Sequence, residues 1–147
     1  MTAGANLDRF AARPVADGGT PVGAWTAWGR RFEELDVAAC PALVVVAYEV
    51  RPEAEDDFLR ALRLVGRARR RTGAIDWSVY RDADRAHRFI ETFVLPSWDE
   101  HVRQHQRRTV TDFELQQELH QFLQDGTEPT AKHYVAPPEP PMRLWLR

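Results

Sequence analysis

The stretch "SWDEHVRQHQRRT", Ser97 to Thr109, sets His101 and His105 four residues apart with Arg103, Arg107 and Arg108 around them. On a helix that spacing stacks two imidazoles on one face. A zinc site would need a third ligand, and the familiar helical version carries a glutamate inside HExxH. This chain reads HVRQH, and His87, Glu91, His120 or His133 could complete a site only by coincidence of folding, so no metal is expected. Two readings stay open. The imidazoles are hydrogen-bonded to Glu91 or to backbone at a helix–sheet junction. Alternatively they line a pocket as acid/base groups, which an unperturbed pKa of about 6.5 suits.

Glu91 is the carboxylate to watch, because it alternates with Phe89 and Phe93. A carboxylate on that apolar face must be paired or hold its proton. The sequence offers Arg103 as an ion-pair partner or His101 as a hydrogen-bond partner; the functional alternative is a general base removing an acidic C–H or O–H proton. Trp77 alternates with Ile75 and Val79, which fits core packing or, with the Phe89/Phe93 wall, a flat support for an aromatic ring. Tyr80 falls on the opposite side from Trp77, so both line one pocket only across a bulge. Tyr48 carries the same ambiguity, and Trp98 packs a helix start against the sheet. No glycine-rich phosphate loop, nucleophile elbow or Ser/His/Asp arrangement is present, so no cofactor is expected.

The elements that would position these groups follow from period and caps. "CPALVVVAYEV" reads as a strand apolar on both sides. Pro52 opens a helix with Glu53, Glu55, Asp56 and Asp57 in its first turn and Arg67, Arg69, Arg70 and Arg71 in its last, closed by Gly73. Phe58, Leu62, Val65 and the aliphatic stem of Arg69 share one face of it. "AIDWSVYRD" and "HRFIETFVLP", joined by a short turn, read as a hairpin. Ser97 and Glu100 form a capping box for the histidine helix, and Thr111 with Glu114 suggests a second box before a stripe of Leu115, Leu119, Phe122 and Leu123 that Gly126 ends. "TAKHYVAPP" is a last strand. The order β-α-β-β-α-β specifies an α+β, ferredoxin-like sandwich with a four-stranded antiparallel sheet and helices on one face. The first strand nevertheless pairs Val44, Val46 and Tyr48 with apolar Leu43, Val45 and Ala47 on its other side. Covering that second face with another copy, as a homodimeric barrel, is the simplest expectation.

The domain would span residues 40–137. Residues 1–24, rich in Ala, Gly and Pro, read as a flexible tail, and 25–39 as an amphipathic helix with Trp25, Trp28, Phe32 and Leu35 at helical spacing; 138–147 form a proline-bounded tail. A chain of 147 residues suits one such domain. A formal charge of −2 gives no field for nucleic acid or anionic membrane. Arginine makes up all the basic residues except Lys132, with no aromatic interleaving that would stack bases. The lone Cys40 and the absence of a signal peptide fit a reducing cytoplasm. The longest apolar run is about nine residues against the roughly 20 a bilayer requires, so no membrane insertion is expected.

The segments "VVVAYEVRPEAEDDFLRALR", "RRTGAIDWSVYRD", "RFIETFVLPSWDEHVRQHQRRTVTD" and "HYVAP" resemble the soluble C-terminal domain of major-facilitator transporters of the transmembrane secretion effector type. That domain is similar in turn to dimeric α/β-barrel proteins of the antibiotic biosynthesis monooxygenase class. No transporter body accompanies these segments, so a free-standing relative is expected. The resemblance implies a homodimer with a pocket between sheet and helices for a small aromatic molecule. It also implies oxygenation of aromatic polyketides without flavin or metal, by a tryptophan with nearby Asn, Tyr, Arg or His groups. Trp77, Tyr80, His101 and His105 are the counterparts here. The asparagine common in the first strand of those oxygenases has no match in this chain.

Overall fold

The computed structural model describes residues 38–138. The expected segments 1–24 and 138–147, beyond Pro138, and nearly all of 25–39 lie outside the described residues. Strands β1 (Ala42–Glu49), β2 (Asp76–Arg81), β3 (Arg88–Leu95) and β4 (Thr130–Val135) form one antiparallel sheet in the order β2-β3-β1-β4. Helices α1 (Glu55–Arg71), α2 (Trp98–Gln106) and α3 (Val110–Glu118) complete the α+β ferredoxin-like sandwich. A 3-10 turn, Pro52–Ala54, leads into α1, and another, Leu119–Phe122, continues from α3.

Alternation decides which side chains meet the helices. Ala42, Val44, Val46 and Tyr48 of β1 and Phe89, Glu91, Phe93 and Leu95 of β3 are buried. Their neighbours Leu43, Val45, Ala47, Ile90, Thr92 and Val94 are half-buried on the reverse face. The first strand is thus not equally buried on both sides. α1 lays Phe58, Leu62 and Val65 on the sheet, and Arg69, four residues past Val65, prolongs the stripe with a guanidinium. α1 approaches β2 so closely at Gly66 that a Cβ there would lie 2.5 Å from Cε2 of Trp77. Only glycine lets the indole lie flat against the helix. At the end of α1, Gly73 takes φ +135, a conformation that L side chains rarely adopt.

The caps agree with the sequence in part. Ser97 accepts from the Glu100 backbone N–H, as a capping serine should, but the Glu100 carboxylate turns away to Arg103 and Arg107. The second box is formed by Thr109 and Asp112, two residues before the expected Thr111 and Glu114. Aspartate is short enough to reach the N-cap amide there, and Arg71 binds its carboxylate from α1. Ile75 precedes β2 and is 66% exposed, so only Trp77 and Val79 of the expected face turn to the helices.

Candidate functional site

Glu91 sits at the centre of the helix-covered face and has no solvent exposure. Its register neighbours are Val46 on β1 and Val79 on β2, while Tyr48 and Trp77 lie on diagonals from it. Tyr48 Oη donates to Oε2 at 2.8 Å, and Trp77 Nε1 donates to Oε1 at 3.0 Å. Arg69 donates through Nε to Oε1 at 3.0 Å and through Nη2 to Oε2 at 3.5 Å. The pairing expected of this carboxylate is present, but with Arg69 in place of Arg103 or His101. Arg103 is on the exposed side of α2 and binds Glu100. Arg69 also lies over the Phe93 ring, 4.5 Å from its centroid. Burial, then the Glu91 charge, pushes the Tyr48 phenol well above its ordinary range. Burial opposes the charge of Arg69, but Glu91 and Tyr48 outweigh it and its pKa rises.

Beside this network α2 brings His101 and His105 together, as the i, i+4 spacing requires, and β4 adds His133. His101 and His105 have ring centroids 4.8 Å apart and Nε2 atoms 3.4 Å apart. The centroids of His101 and His133 are 5.1 Å apart. His101 Nδ1 meets Gln104 Oε1 at 3.1 Å, and Gln104 Nε2 donates to the Arg69 carbonyl and to Thr72 Oγ1, each at 3.2 Å. Burial first, then His105 and His133, drives the His101 pKa down to about 2. Burial, then Arg108 and Arg69, takes His105 down to about 4, and burial alone does the same to His133. All three imidazoles are therefore neutral at pH 7. Among the described residues no group of three or more His, Cys, Asp or Glu side chains is arranged to hold a metal ion.

A cavity of about 90 Å³ opens against this cluster. Its buried wall includes Val44, Val46, Tyr48, Phe93, His101 and Gln104, with Arg69 beside them, and its rim includes His105, Arg108, Gln116, His120, Glu128 and His133. Of the side chains expected to line a pocket, Tyr48, Phe93, His101 and His105 do so. Trp77 faces the same side of the sheet but spends its N–H on Glu91. Trp98 backs His101 and His133 at centroid distances of 5.5 and 5.9 Å without reaching the lining. Phe89 belongs to the core with Phe58 and lies under Arg81. Tyr80 is 58% exposed on the reverse face; no bulge brings it round to join Trp77.

Arg108 and Gln104 are among the lining groups that sequence reasoning missed. Arg108 donates to Gln116 and has no carboxylate within ion-pair distance among the described residues. Burial and Arg69 lower its pKa to about 10, against a smaller opposing pull from Asp112, which is itself bound to Arg71. The signal in sequence was faint: an arginine just after a helix, inside a run of arginines.

The fold is shared with solved structures of low identity. They include a conserved protein from Methanosarcina mazei Go1 (19% identity, TM-score 0.55, covering 67% of this chain and 95% of that one). A variant of SnoaB, a cofactor-independent oxygenase from Streptomyces nogalater, matches at 14% identity and TM-score 0.57, covering 70% of this chain and 99% of that one. A protein from Caulobacter crescentus, provisionally assigned as an antibiotic biosynthesis monooxygenase, matches at 13% identity and TM-score 0.58, covering 71% and 96%. No curated protein sequence matches the chain. No helix among the described residues is long and apolar enough to cross a membrane. The model of the transmembrane secretion effector family matches residues 21–140, the whole of the sandwich included, and the chain belongs to that family.

Proposed function

We propose that this protein is a cofactor-independent, monooxygenase-like enzyme of specialised metabolism, acting in the cytoplasm on a small aromatic molecule of the antibiotic or aromatic-polyketide kind. The observation that carries this reading is the cavity that holds two neutral imidazoles, His101 and His105, beside the cations Arg69 and Arg108. A neutral imidazole accepts a proton, and a nearby guanidinium stabilises the anion left behind. The substrate's activated CH2 gives one proton to imidazole, and the electron pair left on carbon reduces dioxygen. The resulting peroxide loses water to leave a carbonyl, so CH2 and O2 become C=O and H2O. Without oxygen the same deprotonation serves a cyclase or isomerase. In this reading Glu91, occupied by three side chains, holds Tyr48 and Arg69 in place, while Phe93 and Tyr48 contact the ring.

The cavity is smaller than the roughly 150 Å³ that accommodates benzene. A ring therefore enters as Arg108, His120 and Glu128 give way at the rim. A second copy of the chain would cover the reverse face of the sheet, where half-buried Leu43, Val45, Ile90 and Val94 continue to exposed Tyr80 and Tyr134. Light scattering should give a dimer that Val45→Arg converts to monomer.

The test is incubation with an anthrone, in air and under nitrogen, read by mass spectrometry. The expected product gains one oxygen and loses two hydrogens only in air, and His105→Gln slows its formation by about 10²- to 10⁴-fold. Full activity in both His101→Gln and His105→Gln removes the acid/base assignment. Binding without turnover instead selects a second reading, a small-molecule-binding or regulatory module, which membership of a transporter-related family favours.

A further inference from the structure

Arg69 and Arg108 both line the cavity, and the protein supplies a carboxylate to only one of them. Arg69 has Glu91 at 3.0 Å. Arg108, in the link between α2 and α3, forms no ion pair among the described residues. The nearby carboxylates are committed elsewhere, Glu91 to Arg69, Tyr48 and Trp77, and Asp112 to Arg71 and the Thr109 backbone N–H. Arg108 Nη2 donates to Gln116 Oε1, which leaves Nε and Nη1 with no acceptor among the described residues. The buried side-chain nitrogens without a hydrogen-bond partner among those residues are Nε of Arg51 and Nε of Arg88, so Nε and Nη1 of Arg108 are open to solvent. A narrower cleft behind Arg108, lined by Ala68, Thr72 and Asp112, has about 10 Å³, room for one water at most. The main cavity is where a ligand group fits.

We propose that Arg108 is a recognition site for a carboxylate, and that the cavity takes small aromatic monocarboxylates with the acid at the rim and the ring against Val44, Val46 and Phe93. The inference rests on the function proposed above for the place of the ring and adds the acid group. Arg108, which gives way as the ring enters, then closes on the acid. The planar guanidinium presents paired N–H donors that match the two oxygens of a carboxylate. The charge count selects a single negative charge. Arg69 is already matched by Glu91, His105 and His133 are neutral at pH 7, and Glu128 on the same rim repels a second anionic charge. A dianionic phosphate therefore fits less well, and an aromatic cation meets two guanidinium groups. Burial and the neighbouring Arg69 oppose the charge of Arg108, an opposition that an anion relieves.

Calorimetric titration of the full chain with benzoate, phenyl phosphate and benzylamine tests charge and shape together. Benzoate should bind about tenfold or more tightly than either of the others. Arg108→Lys, which keeps the charge and loses the fork, should weaken benzoate several-fold, and Arg108→Gln by about 10- to 100-fold. Exposed arginines elsewhere also attract anions, so the place of binding is read separately. The benzoate ring protons should give nuclear Overhauser contacts to the methyl groups of Val44 and Val46. Undiminished binding by folded Arg108→Gln, phenyl phosphate bound as tightly as benzoate, ring contacts away from Val44 and Val46, or no benzoate binding at all would each overturn the proposal. If Arg108→Gln does not fold, the selectivity and ring contacts of the parent chain decide. Benzoate held here without oxygen-dependent turnover of an anthrone overturns the enzymatic reading and supports the acid site. Turnover of an anthrone without benzoate binding does the reverse.

Discussion

Arg69 and Arg108 face the same cavity and live in opposite electrostatic circumstances. Arg69 has a buried carboxylate, an aromatic face and a tyrosine around it, and its charge is favoured. Arg108 has an amide and, among the described residues, no carboxylate within ion-pair distance, and its charge is opposed. Around the first, the acceptors of Glu91 are matched by donors from two strands and a helix; around the second, imidazoles and a cation with no ion-pair partner among the described residues line the cavity. What separates the two arginines on this one sheet face is whether a buried carboxylate meets the charge. The largest test of that contrast is Glu91→Ala. Arg69 would be left almost wholly buried without its counter-charge, at a cost of about 3–5 kcal/mol of stability in urea unfolding. Pairing Arg69→Met with Glu91→Leu should recover most of it, because no lone charge remains. A loss below about 1 kcal/mol for Glu91→Ala would remove the distinction between the two regions.

The histidine side of the contrast has its own signature in pH. Unfolded, these imidazoles take a proton near pH 6.5; folded, His105 and His133 resist until about 4 and His101 until about 2. The unfolded chain binds more protons between those limits, so their contribution is full above pH 6.5 and is lost as pH falls. Each histidine adds at most about 1.4 kcal/mol per pH unit. Glu55, Asp82, Glu100 and Asp112 are held low as well, but their loss begins only below about pH 4.5. The urea midpoint should therefore fall between pH 6.5 and 5, and His101→Gln should flatten that slope. A midpoint constant over this window would contradict the burial of the cluster.

The sheet was legible because its signals are local. Alternation through Phe89, Glu91 and Phe93 named the buried face, and the stripe Phe58, Leu62, Val65, Arg69 named the helix side that meets it. That Glu91 must be paired was legible too, but the partners the sequence offered were Arg103 and His101; that Arg69 closes the pair depends on the placement of α1 over β3, and that is tertiary. The i, i+4 histidines were visible for the same local reason. His133 and Gln104 joined them from a strand register and from a side chain with no charge to draw notice. Trp77 faces the expected side, but the shape of Gly66 beneath it and the acceptor on Glu91 turn it into a structural donor. Tyr80 follows its strand to the reverse face, as regular alternation dictates.

The smallest expected effect is at Arg108, and there its size carries the information. Replacing a paired buried charge costs stability; replacing one that the fold opposes should not. Arg108→Met keeps the length of the side chain and its apolar stem while removing the cation, so stability should stay within about 1 kcal/mol of the parent or rise. Its consequence should appear in ligand affinity. Benzoate, titrated by calorimetry, should lose most of its binding in Arg108→Met, while uncharged benzamide should be unaffected, because only the former brings the charge that Arg108 lacks. Residues kept at a cost to stability mark a surface shaped for something outside the fold. If Arg108→Met unfolds as readily as Glu91→Ala, Arg108 is a second anchor, and the cavity rim is part of the scaffold.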